Sequence, residues 1–272
     1  MIELRGVTKR FGSKCAVDRL DLEVSPGELF AFLGPNGAGK TTTIKMICGL
    51  LAPNAGTVRV GGFDAATQQA RQLLGYVPDQ PYLYDKLTGR EFLKFVVEMY
   101  GLERRRAVHR IHELIETFEM GDYVDELCES YSQGMKQRVV FASALVHDPT
   151  ILVVDEPLVG LDPRSARIVK DLFVAQARSG CTVLMSTHLL AIAEELADRI
   201  GIVDRGRMLA TGTLDQLRRQ VQHHGPLEDL FLKLTGDLRS GPRAGSGDPR
   251  PSPTADGPLR SEPEPESSRI PS

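Results

Sequence analysis

The chain has 272 residues, 41% hydrophobic and 25% charged, with a formal net charge of −3. That length holds one large α/β domain with additions or two small ones, and the charge gives no global electrostatic case for nucleic acid, so no nucleic-acid partner is expected. No apolar segment approaches the roughly 20 residues that cross a bilayer, Met1–Arg5 lacks a charged-then-apolar leader pattern, and the dispersed Cys15, Cys48, Cys128 and Cys181 read as reduced, packing thiols.

In chain order, Ile2/Leu4 and Leu20/Leu22/Val24 alternate as short N-terminal strands, expected to pair antiparallel. Leu29–Leu33 is a continuous apolar run and predicts a buried strand. It leads into Gly34-Pro35-Asn36-Gly37-Ala38-Gly39-Lys40-Thr41, which fits the pattern G-x-x-x-x-G-K-[ST], and Thr42 comes next. A glycine-rich loop turns backbone N–H groups toward a phosphate and carries no side chains to block its approach. Lys40 adds a positive charge at the β/γ-phosphates, and the Thr41 hydroxyl suits Mg²⁺. Ile44, Ile47 and Leu51 then recur at helical spacing, so strand, loop and helix stand in the order that the motif requires. The chain is therefore expected to bind a nucleoside triphosphate.

Val58-Arg59-Val60 before Gly61-Gly62 predicts another strand and turn. From about Leu87 to Asp125 the pattern turns helical, with one stripe of Phe92, Phe95, Val96 and Met99 and another around Ile111, His112, Leu114, Ile115 and Phe118. The compact run Arg104-Arg105-Arg106 reads as a solvated helix end. Ile151–Val154 and Thr182–Ser186 predict buried strands flanking a helix over Ala166–Ala177, which implies a parallel sheet with crossover helices. The first of these strands ends in Asp155-Glu156, so one carboxylate can hold Mg²⁺ while its neighbour polarises water. Ile200–Ala210 predicts a hairpin around Asp204-Arg205-Gly206, succeeded by short helices over Thr213–Gln220 and Leu227–Leu234. Beyond Gly236 the composition shifts to Pro, Gly, Ser, Arg and Glu, which predicts a disordered tail over residues 236–272.

Several of these motifs, in this order, resemble the nucleotide-binding subunit of an ATP-binding-cassette (ABC) transporter over residues 1–235. The resemblance gives Phe11 the place of an aromatic that stacks on adenine and matches Gly34–Thr42 to the phosphate loop. It makes Asp155 a Mg²⁺-associated aspartate, Glu156 the general base, and His188 the γ-phosphate contact that positions the attacking water. Asp162, in Gly160-Leu161-Asp162-Pro163, matches the loop that crosses between subunits, although such an aspartate also caps helices.

Tyr131-Ser132-Gln133-Gly134-Met135 resembles the family's Leu-Ser-Gly-Gly-Gln signature, with Gln133 and Met135 departing from it. Through Ser132 and Gly134 this implies a contact to ATP held by an opposite subunit, at a helix N-terminus suited to anions. After Tyr76-Val77-Pro78 the family's Mg²⁺-sensing glutamine is replaced by Asp79, which is expected in the sensing position, with Gln80, next in the chain, as the alternative. The expected architecture is an α/β fold, a P-loop NTPase core with N-terminal antiparallel strands and a helical subdomain inserted over about residues 83–140. The resemblance also implies ATP and Mg²⁺ as cofactors, and hydrolysis coupled to transport through a separate transmembrane permease subunit. A second ATP-binding subunit, identical or related, completes the pair at the cytoplasmic face of the membrane. The Leu227–Thr235 ending resembles exporter-type cassettes, and Leu83–Asp125 is the expected docking surface for the permease. The alternative is a soluble relative that acts in iron–sulfur cluster assembly.

Overall fold

The computed structural model describes residues 1–220 and Phe231. The helix expected over Leu227–Leu234, but for Phe231, and the tail over 236–272 lie outside the described residues. Phe231 packs against the main core.

Strands β1 (Ile2–Phe11) and β2 (Lys14–Val24) form an antiparallel hairpin, as the alternation predicts. Strand β3 (Leu29–Leu33) runs into the glycine loop and helix α1 (Lys40–Ile47). Ile44 and Ile47 are buried, whereas Leu51 falls beyond the end of α1 and is only half-buried. Next come β4 (Ala55–Val60), β5 (Phe63–Asp64), α2 (Gln68–Gln72) and β6 (Leu74–Val77). Helices α3 (Gly89–Tyr100), α4 (Arg104–Thr117) and α5 (Gln133–Leu145) form the helical part. The chain closes with β7 (Ile151–Asp155), α6 (Pro163–Arg178), β8 (Thr182–Thr187), α7 (Leu190–Leu196), β9 (Arg199–Asp204), β10 (Arg207–Gly212) and α8 (Leu214–Gln220).

Two sheets result. One is antiparallel, ordered β2-β1-β4-β5, and the other is ordered β10-β9-β3-β8-β7-β6. In the second, β9, β3, β8, β7 and β6 are all parallel, and only β10 runs against its neighbour. A parallel sheet covered on both faces needs strands that are apolar throughout, which is why β3 and β7 read as unbroken hydrophobic runs. Successive side chains point to opposite faces. Phe30, Phe32, Val153 and Leu184 thus join α1 and the antiparallel sheet in one core layer. Leu29, Ala31, Leu33, Leu152 and Val154 join the helical part in the other. Helix α5 lies inside this second layer, and Phe118, Phe141 and Phe173 follow one another with 6.0 Å between neighbouring centroids, the first pair stacked and the second tilted. That chain of rings ties the end of α4 to α5 and α6.

Two expected faces are corrected. In α3 the buried side chains are Leu93 and Val97, while Phe92 and Val96 are half-buried and Phe95 and Met99 are exposed. The packed stripe is one residue away from the expected one, because both stripes satisfy helical spacing. In α4, Ala107, Ile111, Leu114 and Ile115 face inward, and His112 instead meets Glu116 on the solvent side. The Arg104–Arg106 run does open α4 at the surface, with Arg106 paired to Asp148.

His147, just after α5, stacks on Tyr100 with 3.7 Å between ring centroids, and its Nε2 meets the Leu74 carbonyl at 3.2 Å. Burial pulls its pKa down from 6.5 to about 4, partly opposed by the Leu74 hydrogen bond and the Asp148 charge. A histidine with a lowered folded pKa costs nothing above pH 6.5. As pH falls from 6.5 to about 4, the unfolded chain takes up a proton that the folded chain refuses, so stability is lost. The loss is at most about 3 kcal/mol. Urea melts of the native protein and of His147→Gln at pH 7, 5.5 and 4.5 should diverge in that window, the native protein losing more. Parallel pH profiles would remove His147 as the cause.

Candidate active site

The phosphate loop is built by contacts that only glycine allows. A Cβ on Gly34 would lie 2.4 Å from the Val203 carbonyl oxygen. Gly39 has φ +104°, and a Cβ there would lie 2.5 Å from the Ala16 carbonyl oxygen. Gly39 caps α1 in a left-handed conformation without a side-chain cap, so the first N–H groups of α1 are left for an anion. Lys40 is only 6% exposed and donates to the carbonyls of Gly34 at 2.8 Å and Pro35 at 3.3 Å. Its Nζ also lies 3.1 Å from Glu156 Oε1.

Asp155 ends β7 fully buried, with Oδ1 accepting from Ser186 Oγ at 2.5 Å and Oδ2 without a partner. Glu156 sits next to it in the left-handed region at φ +48°, a conformation that non-glycine residues avoid. Its N–H donates to Ser186, at 3.2 Å from the carbonyl and 3.1 Å from Oγ. Its other carboxylate oxygen meets His188 Nδ1 at 2.9 Å. Glu156 is thus held at the backbone by Ser186 and at its two oxygens by Lys40 and His188.

A cleft of about 220 Å³ opens over this group, with Lys14, Asn36, Thr41, Thr42, Asp79 and Glu156 in its wall. Asp79 is in that wall and Gln80 is not. The Asp79 carboxyl is raised above the usual range by burial and by the charges of Asp155 and Glu156, against the pull of His188 and Lys40. Among the described residues no three His, Cys, Asp or Glu side chains close into a metal cluster. Mg²⁺ does not need one, because it is commonly held by one or two carboxylates together with substrate phosphates. The buried, unpartnered Asp155 Oδ2, the Thr41 hydroxyl and the Asp79 carboxylate are hard oxygen donors of the right kind.

Not every expected residue meets here. Phe11 is 51% exposed under the Lys9 ammonium, but it pairs in the hairpin with Lys14, which lines the cleft. Ser132 caps α5, accepting from the Met135 N–H at 3.3 Å, and a Cβ on Gly134 would meet nothing within 4 Å. Neither lines the cleft. Asp162 caps α6, accepting from the Arg164 and Ser165 N–H groups at 3.0 Å. Sequence reasoning missed Lys14, Ala16 and Ser186. Lys14 and Ala16 were recoverable from the hairpin just after Phe11, and Ser186 from its place beside Asp155 across two parallel strands.

A glycine loop between a central parallel strand and a helix, beside a strand that ends in a buried aspartate and a poised glutamate, defines a P-loop nucleoside triphosphatase. The family model described as "ABC transporter" matches residues 17–159, more than half of the chain. The chain belongs to the ABC transporter family as an ATP-binding, ATP-hydrolysing subunit. It is 39% identical over 239 residues to the daunorubicin resistance ATP-binding protein DrrA3 of Streptomyces coeruleorubidus, covering 87% of this chain and 75% of that protein. A solved ATP-binding subunit of an ABC transporter superposes with a TM-score of 0.82 at 33% identity, covering 86% of this chain and 99% of that one. The dimeric, post-hydrolysis state of the ATP-binding cassette MJ0796, bound to ADP and phosphate, gives 0.72 at 25% identity, covering 79% and 99%. These comparisons give no support to the iron–sulfur-assembly alternative. No helix among the described residues is long and apolar enough to cross a membrane.

Proposed function

We propose that two cassettes, two copies of this chain or this chain and a relative, close over two ATP molecules and drive export through a separate membrane permease. The observation that carries the reading is Glu156, held between Lys40 and His188 at the floor of the cleft. In that position Glu156 orients or deprotonates the attacking water. Lys40 offsets charge at the γ-phosphate, and His188 holds that phosphate and keeps Glu156 aligned. Ser132 and Gly134, with α5 behind them, complete the opposite subunit's site, and the exposed Asp162 crosses at the same seam. Phe11 stacks on adenine, next to Lys14. Thr41, Asp155 and Asp79 would hold Mg²⁺, which would supply charge neutralisation at the triphosphate.

We take residues 1–235 as the catalytic domain, with a helical subdomain at about 83–140. In this reading the subunit sits at the cytoplasmic face of the membrane. The permease docks on the helical part, where Tyr82 is 77% and Met99 72% exposed and Tyr84 packs edge-on against Phe92 and Phe95. Export of a drug-like compound fits the daunorubicin resistance named for the similar Streptomyces protein. Isolating the native complex from membranes and identifying its chains by mass spectrometry tests this. A permease and a second cassette should co-purify, and recovery with soluble partners alone would overturn the transport reading.

Asp79 and Gln80 separate cleanly. Asp79→Ala should raise the Mg²⁺ concentration needed for half-maximal turnover about ten-fold, and Gln80→Ala should leave it within about two-fold. If both variants behave like the native protein, neither residue senses the metal.

A further inference from the structure

The phenol of Tyr131 immediately precedes the signature serine, and none of the proposed chemistry uses it. It is buried, and it sits where three chain segments meet. Its oxygen accepts the Gly89 N–H at 3.0 Å. Its single proton is shared between the carbonyls of Tyr123 at 2.9 Å and Glu126 at 3.0 Å. Burial pushes its pKa up to about 12, so it remains a neutral donor at any physiological pH.

Gly89 is the first residue of α3, whose N-terminal donors all find partners. The Arg90 N–H goes to the Val124 carbonyl at 3.0 Å and the Glu91 N–H to Thr88 Oγ1 at 3.1 Å. The Thr88 N–H returns to the Glu91 carboxylate, closing a capping box. Around this knot the Cys128 N–H donates to the Leu87 carbonyl, Arg90 grips Asp125 with two hydrogen bonds, and Lys86 pairs with Glu129. The start of α3 and the segment 123–131 are therefore one clamped unit. Only glycine allows the clamp, since a Cβ on Gly89 would lie 2.8 Å from the Tyr131 hydroxyl. One end of the unit carries the aromatic face of Tyr84, Phe92 and Phe95, and the other continues directly into Ser132.

We infer that the Tyr131 hydroxyl is a positioning residue: it locks the first turn of α3 to the signature peptide, so that Ser132 is presented to the opposite subunit's ATP in register with the α3 face. The inference rests on the proposed role of Ser132 across the subunit seam. Of the hydrogen bonds that join α3 to the segment 123–131, this one lies nearest Ser132 in the chain, and its phenol is buried.

The test uses the full chain carrying Glu156→Gln, with ATP-driven dimerisation measured by analytical ultracentrifugation. Failure of that protein to dimerise with ATP would overturn the pairing of two copies of this chain. The same measurement is then made with the cassette that co-purifies from membranes, whose failure to pair would sink the two-cassette reading itself. If it pairs in either way, adding Tyr131→Phe, which keeps the ring against Tyr123, should raise the dimer dissociation constant about ten-fold. ATP affinity of the monomer, set by the phosphate loop, should stay within about two-fold. A purely structural phenol would lower the melting temperature and leave dimerisation unchanged, and that result overturns the inference. Hydrogen exchange on the chain with Tyr131 intact covers a variant that fails to fold. ATP-driven closure should slow exchange of the Gly89 amide together with the amides of Gln133–Lys136, and protection of the latter alone overturns the inference.

Discussion

Replacing Glu156 with glutamine is expected to slow ATP hydrolysis by about 10²–10⁴-fold while leaving ATP binding intact. Glutamine has nearly the same shape, so the left-handed backbone and the two N–H contacts to Ser186 can persist. What disappears is the negative charge and the base. Losing the charge frees Lys40 from the 3.1 Å pair and removes repulsion beside the triphosphate, so affinity should hold or rise. Losing the base leaves the attacking water unpolarised, and His188 can only orient an amide. Under the proposed two-cassette mechanism, in which hydrolysis opens the pair, the variant should accumulate as an ATP-bound dimer on size exclusion in the presence of ATP. Turnover is read by phosphate release and binding by a fluorescent nucleotide titration. Native turnover from Glu156→Gln would take Glu156 out of the reaction, and equal loss of binding and turnover would make it a structural residue.

The parts of this site that were legible in the sequence are those for which backbone geometry dictates residue type. Gly34 and Gly39 abut the carbonyls of Val203 and Ala16, so no other residue fits, and their spacing from Lys40 is a pattern that can be read without a structure. The buried strands were legible for the same kind of reason, because a sheet covered on both faces leaves no room for polar alternation. Strand β6 was not. Leu74-Gly75-Tyr76-Val77 is short, holds a glycine and sits at the sheet edge, and Gly75 is there because α5 presses its Ala144 carbonyl to within 2.3 Å of where a Cβ would be. The inward face of α3 was misread because Phe92/Phe95/Val96/Met99 and Leu93/Val97 both satisfy the helical period. Which of them turns inward depends on tertiary packing against elements distant in the chain, such as the Gly89–Tyr131 contact that joins residues 42 positions apart. Strain at Glu156 leaves no trace in composition. The role of Ser132 came only from family resemblance, since within one chain it is simply a helix cap.

Lys40→Ala is expected to weaken ATP binding by about 10- to 100-fold, the range for losing charge-assisted hydrogen bonds to a phosphate. Turnover should fall by a further factor of about 10² or more, because charge on the γ-phosphate grows as the bond breaks. The fold should survive. Lys40 is the first residue of α1, where alanine is well tolerated, and neither α1 nor β3 depends on its ammonium for a backbone hydrogen bond of its own. Arginine should not rescue. The ammonium is enclosed at 6% exposure between two loop carbonyls and the Glu156 carboxylate, a pocket cut for a compact point charge. A planar, longer guanidinium must either leave the pocket or spread the loop from which Gly39 reaches Ala16. Lys40→Arg should therefore keep the net charge yet bind ATP little better than Lys40→Ala. Calorimetric titration of ATP into both variants, with melting curves as the control for folding, separates charge from shape. Recovery by arginine would mean that charge alone acts at this position, and native-like ATP affinity in Lys40→Ala would mean that the triphosphate does not lie in this loop.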